Sequence, residues 1–169
     1  MARLRRQIQS RGAYIVTARV AGGKRLLGHD WAARFLMFTL VYFRHALSFR
    51  LFGFVILPDH FHAVIQPSQY ATISKIMMKI KGTYAHRYNK LAGRSGRFWD
   101  PRFLDEILQD AAEIGEKLED MHMNPVRLGL APHPGSYPYS SYGFLFRAAR
   151  VEIVDDLRKG VRGVPAYLR

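Results

Sequence analysis

Hydrophobic positions along the 169-residue chain change their spacing several times, and each change marks a new element. Runs of β-branched and aromatic residues predict strands, and apolar residues three or four apart predict helices. The resulting order is strand, helix, strand, strand, helix, strand and one further helix. The predicted elements are a strand at 13–20, a helix from His29-Asp30 to about Leu47, strands at 49–57 and 60–66, a helix at 71–91, a strand at 103–108 and a helix from Asp110 to about Met123.

This order is that of a ferredoxin-like split βαβ unit. We therefore expect an α+β fold with a central antiparallel sheet, helices packed on one face and an additional C-terminal helix. No repeat, low-complexity tract or linker interrupts the pattern, so residues 1–169 are expected to form a single domain with its core at about 13–145. The face that the helices leave open is available to carry a functional site.

The spacing of apolar residues also predicts which side of each helix is buried. In the first helix the expected inward stripe is Trp31, Phe35, Phe38 and Tyr42, and in the second it is Ile73, Met77, Ile80, Tyr84 and Tyr88. The third helix is expected to end at Asn124-Pro125, because proline cannot donate the backbone hydrogen bond that continues a helix.

Charge is the strongest feature of the composition. Twenty-six Lys and Arg stand against 13 Asp and Glu, a net charge of +13 that is spread through every segment. Such an excess favours a polyanionic partner, and its even spread favours nucleic acid over a membrane surface. The chain has no cysteine, which excludes disulfides, thiolate metal sites and cysteine nucleophiles. It has neither a bilayer-length apolar run nor a signal-peptide pattern, so we expect a cytoplasmic protein without membrane contact.

His60-Phe61-His62 is the sharpest local feature. Alternate residues of a strand point to the same side, so both imidazoles should share one face while Phe61 enters the core. Two imidazoles on a rigid strand can bind a divalent metal if a third ligand comes from elsewhere. The alternative is a pair of solvated histidines on an edge strand.

The third helix offers polar groups at steps of four. Glu116, Asp120 and Asn124 share one helical face. Spacing alone leaves them open to a plain interpretation, in which Asn124 only ends the helix and the two acids only face solvent.

Cations with aromatic residues between them suggest contact with DNA, since cations bind phosphates and aromatic rings stack on unpaired bases. The alternative is that the cations only solubilise the protein, and we expect Phe98 and Trp99 to belong to the core. The candidate DNA-binding residues are Arg5, Arg6, Lys75, Lys79, Lys81, Arg87, Arg94, Arg97 and Arg102.

Five segments, in this order, resemble the single-tyrosine HUH transposases, and most closely the REP-associated tyrosine transposases. They are Leu57-Pro58-Asp59-His60-Phe61-His62, Ile80-Lys81-Gly82-Thr83-Tyr84-Ala85, Gly93-Arg94-Ser95-Gly96-Arg97-Phe98-Trp99, the segment from Met121 to Leu130 with its Asn124-Pro125-Val126-Arg127, and Tyr137-Pro138-Tyr139-Ser140-Ser141-Tyr142. The similarity runs from about Tyr14 to Tyr142.

The resemblance implies a metal-dependent reaction on single-stranded or hairpin DNA. In this family two histidines and a polar residue of the late helix hold Mg²⁺ or Mn²⁺, here His60, His62 and Asn124. A helix tyrosine attacks the scissile phosphate and forms a 5′-phosphotyrosine bond, which conserves the energy needed for rejoining. The resemblance is compatible with a monomer or a homodimer.

Asp120 marks a departure from the family. The family's tyrosine stands one helical turn before the polar ligand, and Asp120 occupies that position here. The chain is then a relative that still binds DNA, a drifted or engineered variant of an active enzyme, or an enzyme that uses Tyr84 or Tyr88. The spacing of those two tyrosines, which puts them in the apolar stripe, argues against the last. A non-enzymatic DNA-binding regulator and a metal-dependent nuclease that activates water near Asp120 are the rival functions.

Overall fold

The computed structural model describes residues 12–143, so Arg5 and Arg6 of the basic N-terminal arm lie outside the described residues. The order of elements in this range is the one that the sequence predicts. The elements are β1 (Ala13–Arg19), α1 (Asp30–Ala46), β2 (Arg50–Ile56), β3 (His60–Gln66), α2 (Ile73–Leu91), β4 (Leu104–Leu108) and α3 (Ala111–Arg127). Short 3-10 turns lie at Ala21–Gly23, Leu26–Gly28 and Pro134–Ser136.

The four strands form one antiparallel sheet in the order β2-β3-β1-β4. This is the strand order of the split βαβ unit, and the α+β, ferredoxin-like prediction is confirmed. The histidine strand β3 lies between β2 and β1, so the expectation of an edge strand for the alternative interpretation of His60 and His62 is wrong.

The sheet separates two hydrophobic clusters. On one face Phe61, Ala63 and Ile65 of β3 pack with α1 and α2 in the larger cluster. On the other face Val64 packs with Met121 of α3 in a smaller one. Helix α3 lies mainly over β2 and β3, and the β1–β4 half of that face is left more open. The histidines, which alternate with Phe61, therefore point to the α3 side.

A β-bulge in β2 brings the sheet and α3 close together. The register with β3 shifts between Leu51 and Gly53, so one extra residue lies on β2. Phe52 then packs on the α3 side, and Gly53 also faces that helix. A Cβ atom at Gly53 would lie 2.6 Å from Leu118 Cδ2 and 2.9 Å from Ser141 Oγ. Glycine is required here because α3 occupies the space of a side chain.

Helix α3 continues past the predicted stop, and the prediction that it ends at Asn124-Pro125 is wrong. Pro125 lies inside the helix and is buried. The helix ends instead at Arg127, and Gly129, which has φ 67°, follows the C-cap residue Leu128. Gly129 N–H donates to Val126 O and Leu130 N–H donates to Pro125 O, the Schellman pattern that satisfies the last carbonyls.

The stripe predicted for α1 is only partly correct. Phe35 is buried, but Trp31 and Tyr42 at its two ends are exposed. The fully buried face of α1 runs instead through Ala32, Leu36 and Leu40. The five residues predicted for the α2 stripe are all buried.

The segment after α3 closes the outer edge of the sheet. Ile56 N–H donates to Tyr139 O at 2.8 Å, and Ser141 N–H donates to Phe54 O at 2.9 Å. Tyr137 is buried and its hydroxyl donates to Ile56 O at 2.7 Å. These bonds satisfy backbone groups that an uncovered edge strand would leave unpaired. Among residues 12–143 no helix has the length and apolar character needed to cross a membrane.

Candidate metal and nucleic-acid site

His60 and His62 lie side by side on the central strand β3. Their ring centroids are 4.9 Å apart and the rings are nearly perpendicular. Both side chains are partly buried, on the face that α3 covers in part. The spacing of the two histidines in the sequence predicts this shared face, and the structure has it.

Each imidazole is oriented by a polar neighbour on its Nδ1 atom. His60 Nδ1 is 2.6 Å from Asp59 Oδ1, and His62 Nδ1 is 2.7 Å from Thr17 Oγ1 on the adjacent strand β1. Metal-binding histidines commonly have such a partner on one ring nitrogen, which leaves the other to the metal. The two Nε2 atoms are therefore the ones suited to a divalent ion. Thr17 and Asp59 were not among the predicted site residues, although strand pairing could have pointed to Thr17.

His62 is kept in its neutral form. Burial, together with the positive charges of His60 and Arg19, lowers the pKa of His62 to about 4, and the carboxylate of Asp120 opposes this shift. A neutral imidazole has the lone pair that a metal ligand needs. Asp120 of α3 is thus close enough to His62 to act on it electrostatically.

On α3, Asp120 and Asn124 both contact Arg127. Arg127 Nη1 donates to Asp120 Oδ1 at 2.6 Å and lies 3.4 Å from Asn124 Oδ1. Among the residues that the structure describes, no three His, Cys, Asp or Glu side chains are grouped closely enough to hold a metal. A metal ion on the two imidazoles would need a ligand of another type, and an amide oxygen such as that of Asn124 would suit Mg²⁺ or Mn²⁺. Glu116 is exposed one turn earlier on α3.

Helix α3 is fixed by a buried contact with the C-terminal segment. His122 is 2% exposed, and its Nε2 lies 2.9 Å from Ser141 Oγ. Ser141 Oγ also accepts from Phe54 N–H and donates to Phe54 O, so β2, α3 and the segment after it meet at one hydroxyl. Burial lowers the pKa of His122 to about 4, which keeps it neutral. This contact sets the position of Asp120 and Asn124 relative to β3.

A basic cleft adjoins the histidines over the more open half of the sheet. It has a volume of about 470 Å³ and is lined by Thr17, Arg19, Asp100, Pro101, Arg102 and Leu104. Thr17 joins the cleft to the site, because its hydroxyl contacts His62. Arg19 pairs with His60 across the strands and was not predicted as a site residue. The alternation of Thr17 and Arg19 along β1 is the pattern that could have indicated it.

The predicted DNA-binding cations are not all gathered at this site. Arg102 lines the cleft, whereas Lys75, Lys79 and Arg87 are exposed on α2, in the helical layer on the opposite face of the sheet. Lys81 is tethered, since its Nζ donates to Asp100 O at 2.8 Å and contacts Arg102 O at 3.4 Å. Burial lowers the pKa of Lys81. Its role in the structure is to hold the segment before β4.

The loop after α2 carries Arg94 and Arg97. Arg94 Nη1 donates to Asn89 Oδ1 at 3.0 Å, and Arg97 is exposed. Phe98 and Trp99 that follow are buried, as predicted.

The two tyrosines of α2 are buried and bonded, as expected of core residues. Tyr84 Oη donates to Ala32 O at 2.9 Å, and Tyr88 Oη contacts Leu26 O at 3.4 Å. Burial raises the pKa of both phenols, that of Tyr84 well above its usual value. These features disfavour either tyrosine as a substitute nucleophile.

The comparison with protein families decides the relationship. The family model of IS200-like transposases matches residues 24–115, just over half of the chain. The chain belongs to the IS200-like transposase family. The matched range contains His60 and His62 and ends within the first part of α3, before Asp120 and Asn124.

Individual relatives of this chain agree with that assignment. A Haemophilus influenzae protein assigned as a REP-associated tyrosine transposase is 24% identical over 104 residues, which cover 56% of this chain and 59% of the relative. The chain thus spans about three fifths of the length of that curated relative.

Two solved structures share the fold. A REP-associated tyrosine transposase bound to a REP hairpin superposes with a TM-score of 0.74 at 19% identity, covering 90% of this chain and 89% of that chain. A protein of Deinococcus radiodurans, described as a transposase, gives a TM-score of 0.51 at 18% identity, covering 72% and 98%.

Proposed function

We propose that this chain binds single-stranded or hairpin DNA on the face that carries His60 and His62, with Mg²⁺ or Mn²⁺ as cofactor. We further propose that Asp120 occupies the position of the family's tyrosine and that covalent strand cleavage is therefore impaired. The observation that carries the proposal is the pair of oriented imidazoles on β3 facing α3.

Electrostatics and shape support DNA as the partner. The net charge of +13 attracts a polyanion, and the cleft beside Thr17 offers Arg19 and Arg102 to a phosphate backbone. Leu104 lines the same cleft with an apolar side chain against which a base can pack. The solved relative with the same fold is bound to a REP hairpin, and this supports a hairpin as the first ligand to test.

In the proposed metal site, some residues bind the ion and others orient the ligands. His60 and His62 are suited to bind through Nε2, Asp59 and Thr17 hold the rings, and Asn124 offers an amide oxygen from α3. A divalent ion supplies Lewis acidity toward the scissile phosphate when bound.

Asp120 is poorly suited to the covalent step. Its carboxylate is held by Arg127 at 2.6 Å, and an aspartyl phosphate is far more labile than a phosphotyrosine. Arg127 would be a nearby cation for a tyrosine at the same position, and a neighbouring cation favours the phenolate that attacks.

The test uses a labelled DNA hairpin with a single-stranded flank and Mn²⁺. We expect the natural chain to shift the hairpin in a gel without forming a covalent protein–DNA band. We expect Asp120→Tyr to form that band, and Asp120→Tyr combined with His60→Ala to lose it. Glu116→Tyr, one turn earlier on the same face, is the matched control and should form no band.

Each other outcome has a defined meaning. A folded Asp120→Tyr variant that binds the hairpin but forms no adduct contradicts the placement of Asp120 at the nucleophile position. A covalent band from the natural chain contradicts impaired cleavage. Free cleaved product without an adduct identifies the rival nuclease, in which water near Asp120 attacks. The absence of any gel shift contradicts DNA binding itself.

A further inference from the structure

Trp31 is an exposed aromatic side chain whose position the fold alone does not explain. It was expected in the core, yet it is 42% exposed at the start of α1. One face of its indole lies on Tyr88 of α2, with ring centroids 4.8 Å apart and planes 20° from parallel. The exposed area therefore lies on the other face and the edge of the ring. A large flat apolar surface that is left open in a basic protein suggests a stacking partner.

The indole of Trp31 packs on Tyr88, which is held rigidly in the core. Tyr88 is 3% exposed and packs against Phe98 with centroids 4.6 Å apart. Its hydroxyl contacts Leu26 O at 3.4 Å. A ligand that stacks on Trp31 thus orders few additional groups, which lowers the entropic cost of binding.

A basic loop lies next to the stacked pair of Trp31 and Tyr88, which we call the aromatic platform. Asn89 follows Tyr88 directly and organises the loop, accepting from Arg94 N–H at 2.8 Å and donating to Gly96 O at 2.8 Å. The loop turns through Gly93 and Gly96, both with positive φ, and it carries Arg94 and Arg97. The acid next to Trp31, Asp30, is neutralised by Arg34 at 2.9 Å.

The platform lies at the same end of the sheet as the histidines. Strand β1 ends at Arg19, opposite His60, and the chain then runs to α1 and Trp31. Ala21 N–H donates to Phe98 O, and Asp100 N–H donates to Arg19 O, so the basic loop is joined to the same end. A strand that leaves the cleft at Arg19 and Arg102 can therefore continue around this end of the sheet.

We propose that Trp31 is a stacking site for an unpaired base of the DNA strand that flanks the hairpin, with Arg97 contacting its backbone. This inference rests on the proposed function, because it requires that the chain binds DNA. It assigns specificity for a single-stranded extension to the helical layer, apart from the histidine face.

The experiment compares a hairpin with a single-stranded flank and a blunt hairpin of the same stem. Trp31→Ala should weaken binding of the flanked hairpin about tenfold, the equivalent of about 1.4 kcal/mol, and leave the blunt hairpin unchanged. Trp31→Phe, which keeps a ring on Tyr88, should retain most of the affinity. Tyr42→Ala is the matched control, since Tyr42 is 55% exposed on the same helix about 16 Å farther along its axis.

Two readouts separate stacking from charge. Arg97→Ala should lower the salt dependence of binding to the flanked hairpin, whereas Trp31→Ala should not. The chain has two tryptophans, Trp31 and the buried Trp99. The flanked hairpin should quench the emission of the natural chain but not that of Trp31→Phe.

Failure of this inference can be distinguished from failure of the proposed function. If the natural chain binds the flanked hairpin and Trp31→Ala binds it equally well, the stacking site is wrong and DNA binding stands. Equal losses for the flanked and blunt hairpins also overturn it. If the natural chain binds neither hairpin, the proposed function is wrong and the stacking site with it.

Discussion

Replacing Gly53 by alanine tests how closely α3 must approach the sheet. The new Cβ would lie 2.6 Å from Leu118 Cδ2, 2.9 Å from Ser141 Oγ and 3.4 Å from Met121 Cε. The first two distances are below ordinary contact, so α3 and the segment after it must move. Overpacking of this kind costs about 1–3 kcal/mol. We expect Gly53→Ala to lower the free energy of unfolding by about 2 kcal/mol.

The same change should weaken the site, because Leu118 and Met121 belong to the helix that presents Asp120 and Asn124. Urea denaturation measures the loss of stability, and calorimetry with Mn²⁺ measures the loss of affinity. Leu118→Ala removes the nearest contact, so Gly53→Ala should cost less in that background, with a coupling of about 1 kcal/mol.

Gly115→Ala is the matched control on α3. A Cβ at Gly115 meets nothing within 4 Å, and alanine favours a helix over glycine by about 1 kcal/mol. This variant should be as stable as the natural chain or more so. If Gly53→Ala behaves like Gly115→Ala, or if its cost is unchanged by Leu118→Ala, the close approach of α3 to β2 is wrong.

Three further predictions concern separate parts of the molecule. Thr17→Val removes the hydroxyl that contacts His62, and we expect Mn²⁺ affinity measured by calorimetry to fall about tenfold. Arg102→Ala removes a cation of the cleft and should lower the slope of log affinity for DNA against log salt by about 1. Burial, with Tyr139 nearby, raises the pKa of Tyr137 to about 12. The neutral hydroxyl therefore stabilises the fold fully below pH 10. This contribution is lost between about pH 10 and 12, because the unfolded chain then releases the proton more easily. Tyr137→Phe should reduce this alkaline loss by up to about 2 kcal/mol in unfolding experiments at pH 9 and 11.5.

Conservative variants control these three experiments. Thr17→Ser keeps the hydroxyl and should keep the Mn²⁺ affinity, while Arg102→Lys keeps the charge and should keep the salt slope. Tyr42→Phe alters an exposed tyrosine and should leave the alkaline loss unchanged. A Thr17→Val variant with full affinity, an unaltered slope in Arg102→Ala, or an alkaline loss in Tyr137→Phe as large as that of the natural chain would each refute its prediction.

The fold can be predicted from the sequence because the apolar residues of each strand and helix recur at a clear period. The strand alternation around Phe61 also gives the shared face of the two histidines, since the direction of a side chain follows from its position in a strand. The predicted end of α3 is wrong because Pro125 is accommodated inside the helix, and Gly129, four residues later, supplies the left-handed conformation that ends it.

Contacts between segments that are distant in the sequence could not be predicted from this periodicity. Strand pairing brings Thr17 to His62 and Arg19 to His60, and neither pair is local in sequence. The exposure of Trp31 depends on how α1 is rotated against α2, which the apolar spacing of α1 leaves open because that helix is hydrophobic over most of its surface. The bulge that places Gly53 under α3 likewise depends on the register of β2 with β3.

The central claim is that two imidazoles of β3 form the core of a divalent metal site. Calorimetric titration of the purified chain with Mn²⁺ at pH 7 addresses it directly, with His86→Ala, an exposed histidine of α2, as control. The account predicts uptake by the natural chain and by His86→Ala, and none by a folded variant with His60→Ala and His62→Ala. Unchanged uptake in that double variant would contradict it.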